Sequence, residues 1–478
     1  MEFPFTTLYS AKSRIDGVFK INAPPHVIGY SSAPQEKKGR DGTALPKLPS
    51  LQVCVSLDPP LVQPGDGSGD EARRLDGQGP LEPLINDWIR YCSKPMHCRG
   101  RSYDALGRSL HRDWVLATRF VTPEDPPAKA YDTQLPLEKQ MAQLARFVGL
   151  IPFLDDFQLD GGADGADVDP DSLDVWCTSA EFIDIMAGDW EEHATLLCNF
   201  FKSILKAKNS NMQAYLVFGR GIPEGNTVYT MTITPSSDSL DGKPKVDFWN
   251  ASVGSVYSQR DPHCTLKEVF YVVDDKNIWG NVQAANDIRN TNFDLTNKKD
   301  WWPLFTPEWE EKHDGKFQKE TVQDKVDWRP GQKHEAYEGE ITKFVRDMIR
   351  TRFESWRNDR GLTTTENMSL NKSLAAILKR MEQAQHFEGE FTEDNLHTEL
   401  DKYMKQNDLT GFYINRPYTD IEPIIEEIQN ADIHNCGPIS DGNDRDTQFA
   451  IAVYAKAFPR RVLSLWVAVA CCSKRQRK

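Results

Sequence analysis

The strongest helical pattern in the chain lies between Gly188 and Leu205. Its apolar residues cover most of a helix circumference, which predicts a helix that is buried on nearly all sides. Gly188 is expected to end the preceding helix, Asp189 is a favourable N-cap, and Glu192 stands where a capping box places its acid. The apolar positions are Ala194, Leu196, Leu197, Phe200, Phe201, Ile204 and Leu205. We expect the surrounding chain to pack on this central helix.

Further helices are predicted where apolar residues recur at intervals of three and four. One of them begins with a second capping box, formed by Thr178 and Glu181. The expected positions are Leu81–Ile89, a helix from Leu137 that ends at Pro152, Ser179–Ala187, and about 335–357, 366–384, 394–405 and 420–428.

Short apolar or alternating runs between turn residues predict strands. Four of them follow the central helix, and the Asp241-Gly242 pair is expected to turn a hairpin among them. These four are Ala214–Phe218, Thr227–Ile233, Val246–Trp249 and Val269–Val273. The others are Phe3–Tyr9, Gly17–Asn22, Leu51–Leu57, Trp114–Val121, Phe412–Ile414, Phe449–Tyr454 and Val462–Val469, the last two joined at Phe458-Pro459-Arg460. A helix that feeds an antiparallel sheet predicts an α+β fold, with the layout of a papain-like or transglutaminase-like core.

The composition narrows the possible functions. A chain of 478 residues has room for two to four domains, and its net charge of −14 argues against general binding of nucleic acid or anionic membranes. The nine cysteines are scattered without a Cys-x-x-Cys pair, and no signal peptide is evident, which predicts a reducing cytosolic compartment. No apolar run reaches the ~18 residues that a membrane span needs.

The sequence predicts neither a metal nor a cofactor. Cys92, His97 and Cys98 lie close together, but their spacing fits no common zinc pattern. The Asp- and Gly-rich segment 158–174 lacks the order of oxygen ligands that a calcium loop requires. We expect it to be an acidic surface loop.

The start of the central helix carries the most specific chemical pattern. Residues 188–194 resemble the Gly-Asp-Cys-Glu-Asp-His/Tyr-Ala pattern of transglutaminase-like cysteine peptidases, with Trp190 at the place of the nucleophilic Cys. The resemblance places Thr227 where that family has its His, and no His occurs in residues 226–233 even if the alignment slips by one. It places Asn250 at the family's Asp. Trp190, Thr227 and Asn250 are therefore predicted to be a degenerate triad without catalytic capacity.

Two other readings of this site remain open. Cys198 or Cys177 could act as the nucleophile of an active cysteine peptidase or transglutaminase, although Cys198 lies in the apolar run of the helix. Alternatively, the inactive groove could still bind a peptide, such as a tubulin tail, against which the net charge of −14 counts. His193 is interpreted as a tether of the helix cap rather than as a base.

A longer series of motifs narrows the resemblance further. It comprises Asp174–Ser179, Ala187–Asn199, Gly221–Gly225, Asp275–Trp279, Phe293–Leu295, Phe449–Tyr454 and Val462–Val467. In this order they are similar to the C-terminal half of the coiled-coil and C2 domain-containing ciliary transition-zone proteins of the Meckel–Joubert group. Phe3–Tyr9 and Ser13–Gly17 resemble the last strands of that family's C2 domain. Two related families, a centrosomal protein and a dynein regulatory complex subunit, share the inactive core and are expected to lack the last hairpin.

The resemblance implies a domain plan. Residues 1–33 would be terminal strands of a C2-like domain, 34–133 a linker with short strands and a helix, and 134–300 the inactive transglutaminase-like core. Residues 301–408 would form a charged linker with helices, and 409–478 a small α+β unit that ends in a β-hairpin.

The resemblance also implies a function. The chain would belong to a non-catalytic scaffold at the ciliary transition zone and basal body, on the cytoplasmic side, which is required for cilium assembly and for protein localisation to the cilium. Other transition-zone proteins, of the Meckel module and of the tectonic-like membrane proteins, would be its partners, with tubulin as a further candidate.

Overall fold

The chain divides into two compact units, Met1–Phe19 with Leu51–Asp327 and Lys20–Ser50 with Trp328–Lys478. The structure, a computed structural model, describes residues 14–20, 27–28, 50–56, 81–154, 175–238, 244–313, 320–328, 334–384, 393–405, 407–434, 439–442 and 447–474. The predicted strand Phe3–Tyr9, the Asp241-Gly242 turn and the whole of the acidic segment 158–174 lie outside these ranges. Within them, no helix has the length and apolar character to cross a bilayer.

The first unit is built on a seven-stranded antiparallel sheet. Its strands are β6 (Gln213–Gly221), β7 (Gly225–Thr234), β8 (Lys245–Asn250), β9 (Ser255–Ser258), β10 (Leu266–Val273), β11 (Ile278–Asn281) and β12 (Trp301–Pro303), in the order β12-β11-β10-β6-β7-β8-β9. The four strands predicted after the central helix are confirmed as β6, β7, β8 and β10. The other three strands were not predicted, because three or four residues are too few to display a period of two.

One face of this sheet carries the central helix, α4 (Trp190–Ala207), as predicted. Thr230 in β7 donates its hydroxyl to the carbonyl of Ala194, 2.8 Å away, and the ring of Trp249 in β8 packs edge-on against Phe201, with 5.0 Å between centroids. Helix α2 (Leu137–Val148) packs beside α4. These contacts fix the helix axis relative to the strands.

The preceding helix, α3 (Ser179–Ile185), begins with the predicted capping box but ends earlier than predicted. Met186, with a φ of 62°, takes the left-handed conformation that terminates it. Gly188 therefore does not end this helix. It lies in a tight space, where an added Cβ would stand 2.9 Å from the Phe182 ring and 3.0 Å from the Cβ of Glu192.

Residues 81–133, which were expected to belong to a linker, are folded into the first unit. They contain α1 (Leu81–Ser93), β4 (Leu106–Arg108) and β5 (Trp114–Leu116), followed by a short 3-10 helix in place of the rest of the predicted strand Trp114–Val121. The Trp88 indole donates to the carbonyl of Trp302 at 3.0 Å, and the Tyr103 hydroxyl donates to that of Asn281 at 2.7 Å. These bonds attach the segment to the β11–β12 end of the sheet. A separate two-stranded sheet pairs β1 (Arg14–Lys20) with β3 (Ser50–Ser56).

The first unit also includes the short helix α5 (Pro307–His313), which lies beyond the expected domain boundary at residue 300. The sheet strand β12 lies beyond that boundary as well. The first unit therefore extends past residue 300.

The second unit is a four-stranded antiparallel sheet between two helical layers. Its strands are β2 (Val27–Ile28), β13 (Asn407–Pro417), β14 (Gln448–Ala457) and β15 (Leu463–Lys474), in the order β14-β15-β13-β2. Helices α6 (His334–Asn358) and α9 (Glu422–His434) cover one face. Helices α7 (Met368–Ala384) and α8 (Glu393–Met404) cover the other. The helices expected in residues 301–408 and the strands expected in 409–478 thus form one unit.

The predicted hairpin at the end of the chain is confirmed. β14 pairs with β15 in antiparallel fashion, with Ala452 opposite Ala468, and the connection passes through a turn at Pro459–Arg461. Both faces of the hairpin are covered by helices, which agrees with the apolar character of nearly every residue in its two strands.

Arg357, near the end of α6, binds several loops of the second unit together. Its side chain is 2% exposed and donates to the carbonyls of Ser440 and Gly442, both at 2.7 Å, and to that of Thr363 at 2.6 Å. The guanidinium also lies over the Phe449 ring, 4.1 Å from its centroid. A planar group with five donors can make all these contacts at once, whereas an ammonium group cannot.

We expect Arg357→Lys to lower the free energy of unfolding of the second unit by about 2–4 kcal/mol, because lysine leaves buried carbonyls without donors. Urea unfolding of the full chain measures the effect. Arg352→Lys is the matched control on the same helix, since Arg352 is half-exposed and makes an ion pair with Glu422 at 2.9 Å. Equal losses in the two variants would contradict the role of Arg357.

Candidate functional site

The start of α4 is held in place by the buried carboxylate of Glu192. One oxygen accepts a hydrogen bond from the backbone N–H of Asp189 at 3.0 Å and the other from that of Cys177 at 2.9 Å. Asp189 in turn accepts from the N–H of Glu191, so the predicted capping box is confirmed. Burial, together with nearby Asp189, raises the pKa of Glu192. Its two bonds join the segment before α3 to the first turn of α4.

His193 is fully buried and serves as a tether, as predicted. Its Nδ1 lies 2.6 Å from the carbonyl oxygen of Asp189, and its Nε2 lies 3.1 Å from that of Ile151. Burial lowers the pKa of the ring. Because both nitrogens face backbone carbonyls, neither points to a place where a thiol or a substrate could exchange a proton with it.

Trp190, the first residue of α4, is half-buried. Its ring packs against Phe153, with 4.5 Å between centroids, and Phe153 is itself 40% exposed. Phe153 is brought there by the backbone pairing of its segment with Gly188. The first residue of α4 therefore lies at the rim of the helix–sheet interface, where a neighbouring aromatic ring covers it only in part.

Thr227 and Asn250 do not face α4. Thr230 and Trp249 contact α4, and successive residues of a strand point to opposite faces of a sheet. Thr227 is three residues before Thr230 in β7, and Asn250 directly follows Trp249 in β8. Both separations are odd, so the side chains of Thr227 and Asn250 project from the opposite face of the sheet. The structure therefore does not bring the side chains of Trp190, Thr227 and Asn250 together as a triad. A one-residue slip in alignment is enough to exchange the two faces.

Asn250 has a structural role on that other face. Its amide donates to the Tyr229 hydroxyl at 2.7 Å, and its carbonyl oxygen accepts from Ser252 at 2.8 Å. The same Tyr229 hydroxyl lies 2.5 Å from Thr265 and 3.2 Å from Glu224. This network ties the turn between β6 and β7 to the end of β8 and to the segment before β10. Among the residues that the structure describes, none is a hydrogen-bond partner of the buried Thr227 hydroxyl.

In β7, Val228 directly follows Thr227 and faces α4. It pairs with Phe218 in β6, whose ring stacks in parallel on Trp176 with 5.7 Å between centroids. Val228, Phe218, Trp176 and Glu191 line a cavity of about 270 Å³ at the start of α4. The cavity could not be predicted from the sequence, because Asp104, Arg108 and Trp114, which also line it, come from the segment that was expected to be a linker.

The cavity lacks the groups that cysteine catalysis needs. None of the described residues that line it is a cysteine or a histidine. Cys198 is fully buried in α4, and burial raises the pKa of its thiol to about 12. A thiol with such a pKa supplies almost no thiolate at neutral pH. Cys177 is half-buried, and its backbone N–H is bound to Glu192.

The cysteines of α1 and the following turn are packing residues. An added Cβ on Gly280 would stand 2.5 Å from the Cys92 sulfur, and the Cys98 sulfur lies 4.0 Å from the carbonyl of Asn281. In the part of the chain that the structure describes, no cluster of three or more His, Cys, Asp or Glu residues could hold a metal ion.

Two protein-family models match the chain, one in each unit. The CEP76 peptidase-like domain matches residues 174–304, and the C-terminal domain of the centrosomal protein of 76 kDa matches residues 332–474. The second match includes β14 and β15. The expectation that the centrosomal relative lacks the last hairpin is therefore wrong.

The chain is also similar to two longer proteins over most of its length. It is 27% identical over 488 residues to protein CC2D2B of Homo sapiens, which covers 99% of this chain and 30% of that protein. It is 26% identical over 430 residues to coiled-coil and C2 domain-containing protein 2A of Drosophila melanogaster, which covers 89% of this chain and 27% of that protein. The resemblance predicted from the motif series is confirmed. The chain spans less than a third of the length of these relatives.

The orientation of β7 can be tested with a thiol placed at the start of α4. We expect Trp190→Cys combined with Val228→His to react with iodoacetamide at lower pH than Trp190→Cys combined with Thr227→His, because only residue 228 faces the helix. The pH dependence of the labelling rate is the measurement. A lower pH midpoint with Thr227→His would show that this residue faces α4 after all.

The network around Asn250 gives a second prediction. We expect Asn250→Ala to lower the free energy of unfolding by about 1–3 kcal/mol, because the buried Tyr229 hydroxyl loses a donor. Ser252→Ala, which leaves the Tyr229 bond intact, is the matched control and should cost less. Denaturant unfolding compares the two, and an unchanged midpoint for Asn250→Ala would refute the structural role.

Proposed function

We propose that this chain is part of a non-catalytic scaffold of the ciliary transition zone, required for cilium assembly and for protein localisation to the cilium. One observation carries the non-catalytic part. At the helix start where a peptidase-like core would hold its nucleophile, Trp190 packs on Phe153 and the apolar Val228 faces the helix. Neither residue can form a thiolate or accept a proton from one.

The similarity to the coiled-coil and C2 domain-containing proteins supports the ciliary part of the proposal. The similarity covers 99% of the chain for the human relative and 89% for the Drosophila relative, and it includes both units. The whole chain would therefore correspond to one continuous segment of a longer scaffold. We place it at the transition zone and basal body, on the cytoplasmic side. Its partners would be other transition-zone proteins of the Meckel module and tectonic-like membrane proteins.

A peptide-binding groove is the second candidate function, and the cavity of about 270 Å³ beside α4 favours it. Its volume suits one or two side chains rather than a whole small molecule. Two acidic residues, Asp104 and Glu191, line it with one basic residue, Arg108. This balance disfavours an acidic tubulin tail as the ligand and favours a neutral or basic peptide.

We expect the endogenous protein, tagged at its N-terminus, to concentrate between the basal body and the axoneme, and its deletion to impair cilium assembly. Rescue with Trp190→Ala should restore cilia as fully as the unchanged protein, because no chemistry depends on that residue. Fluorescence microscopy and counts of ciliated cells are the measurements. Uniform cytosolic fluorescence together with normal cilia after deletion would reject the assignment, and peptidase turnover by the purified chain would reject the non-catalytic part.

A further inference from the structure

The junction between α6, α7 and the outer edge of β14 is built around the carboxylate of Glu366. One of its oxygens, Oε1, accepts from Nη2 of Arg346 in α6 at 2.6 Å and from Nδ2 of Asn371 in α7 at 2.5 Å. The Asn371 side chain also accepts from the N–H of Ile451 in β14 at 2.8 Å, and the backbone of Glu366 pairs with Phe449 in the same strand. The contacts of Glu366 and Asn371 thus join two helices and the edge strand.

The same two donors also face the sulfur of Met368, the first residue of α7. The Sδ atom lies 4.0 Å from Nη2 of Arg346 and 3.9 Å from Nδ2 of Asn371. Each of these nitrogens carries two N–H groups, so each can bind Glu366 with one and direct the other at the sulfur. A thioether is a weak acceptor, and both distances are long, so the second N–H groups are poorly satisfied.

The guanidinium of Arg346 carries one further donor that lacks an acceptor. Its Nε atom is buried, and no described group forms a hydrogen bond with it. A buried donor without a partner costs free energy. The donors of Arg346 and Asn371 therefore exceed the acceptors that the described residues offer them, and a stronger acceptor at the position of the sulfur would reduce this excess.

Met368 is accessible to a small oxidant. It is 51% exposed, whereas Met141 and Met231 are 1% and 0% exposed. Oxidation converts the thioether into a sulfoxide, which is polar and whose oxygen is a stronger acceptor than sulfur. The gap of about 4 Å between the sulfur and each nitrogen leaves room for this oxygen, and the rotatable bonds of the methionine side chain allow it to turn towards the donors.

We propose that Met368 is a reversible oxidation site, and that its sulfoxide oxygen accepts hydrogen bonds from Arg346 and Asn371. Hydrogen peroxide transfers one oxygen atom to the sulfur. The O–O bond breaks, an S–O bond forms, the sulfur gives up two electrons, and the peroxide is released as water. A methionine sulfoxide reductase reverses the step with a dithiol, which is oxidised to a disulfide while the oxygen leaves as water.

Oxidation at this position stabilises the second unit. A sulfoxide usually disrupts the packing of a methionine, because it places a polar group among apolar ones. At Met368 the new oxygen instead meets N–H groups, one of them on a charged guanidinium, and hydrogen bonds from charged donors are the stronger ones. The bonds tighten the junction of α6, α7 and β14. This site is independent of the cavity beside α4 and of the ciliary proposal.

The test treats the full chain with hydrogen peroxide and then with dithiothreitol, which reduces disulfides but leaves methionine sulfoxide. Met96→Leu is the matched control for Met368→Leu, because Met96 is 78% exposed and lies in the first unit. Mass spectrometry measures the sulfoxide at each methionine and the hydrogen exchange of the peptide that contains Ile451. We expect oxidation to slow this exchange about three- to tenfold in the unchanged chain and in Met96→Leu, and to leave it unchanged in Met368→Leu.

Met368→Gln tests the same site without an oxidant, because the glutamine carbonyl replaces the sulfur with a stronger acceptor. We expect Met368→Gln to raise the urea midpoint of the second unit relative to Met368→Leu. The gain should be smaller when both variants also carry Arg346→Lys, since lysine has neither the Nε–H group nor the fork of a guanidinium.

Several results would overturn the proposal. They are faster or unchanged exchange of the Ile451 peptide after oxidation, an equal change in Met368→Leu, and equal urea midpoints of Met368→Gln and Met368→Leu. So would a Met368 that stays unoxidised while Met96 reacts, or a gain from Met368→Gln that Arg346→Lys does not reduce. Methionine sulfoxide reductases should restore the exchange rate of the untreated chain, and a sulfoxide at Met368 that they cannot remove would refute the reversibility.

Discussion

The two hydrogen bonds that the buried carboxylate of Glu192 accepts determine the arrangement of the first unit's candidate site. They fix the position at which α4 begins and attach the segment of Cys177 to it. The same segment carries Trp176, whose ring stacks on Phe218 and forms one wall of the cavity. Because a buried carboxylate is costly unless it is bonded, both donors must stay in place. The helix start is therefore held rigidly.

An active cysteine peptidase combines a rigid helix start with reactive groups that are placed on it. The helix start retains its cap and the packed helix behind it, and the positive end of a helix dipole lowers the pKa of a thiol located there, although the carboxylates of its first turn act in the opposite direction. The reactive groups are absent from it, and the one thiol deep in the helix, Cys198, has its pKa raised by burial. What remains at this end of α4 is a bonded frame beside a cavity of about 270 Å³.

The second unit shows how one sheet can present two different edges. Side chains of its helical layers bind N–H groups of β14, whereas β2, from near the start of the chain, pairs with Gly411 and Phe412 of β13. β2 lies in the sequence between β1 and β3, which pair with each other in a separate two-stranded sheet. The segment Lys20–Ser50, which contains β2, belongs to the second unit. A fragment that begins after residue 328 would lack β2, so the second unit is completed by residues that are distant in sequence.

The sequence by itself determined the elements whose signals are local and repeated. Seven apolar residues and the capping box defined α4, and long apolar runs defined β6, β7, β14 and β15. Only the tertiary structure decided which face of β7 Thr227 occupies, because alternation with a period of two reverses after a slip of one residue. It also decided that residues 81–133 belong to the first unit and that β2 belongs to the second. Those assignments depend on single contacts between distant segments, such as Trp88 with Trp302 and Ile28 with Gly411, and such contacts leave no period in the sequence.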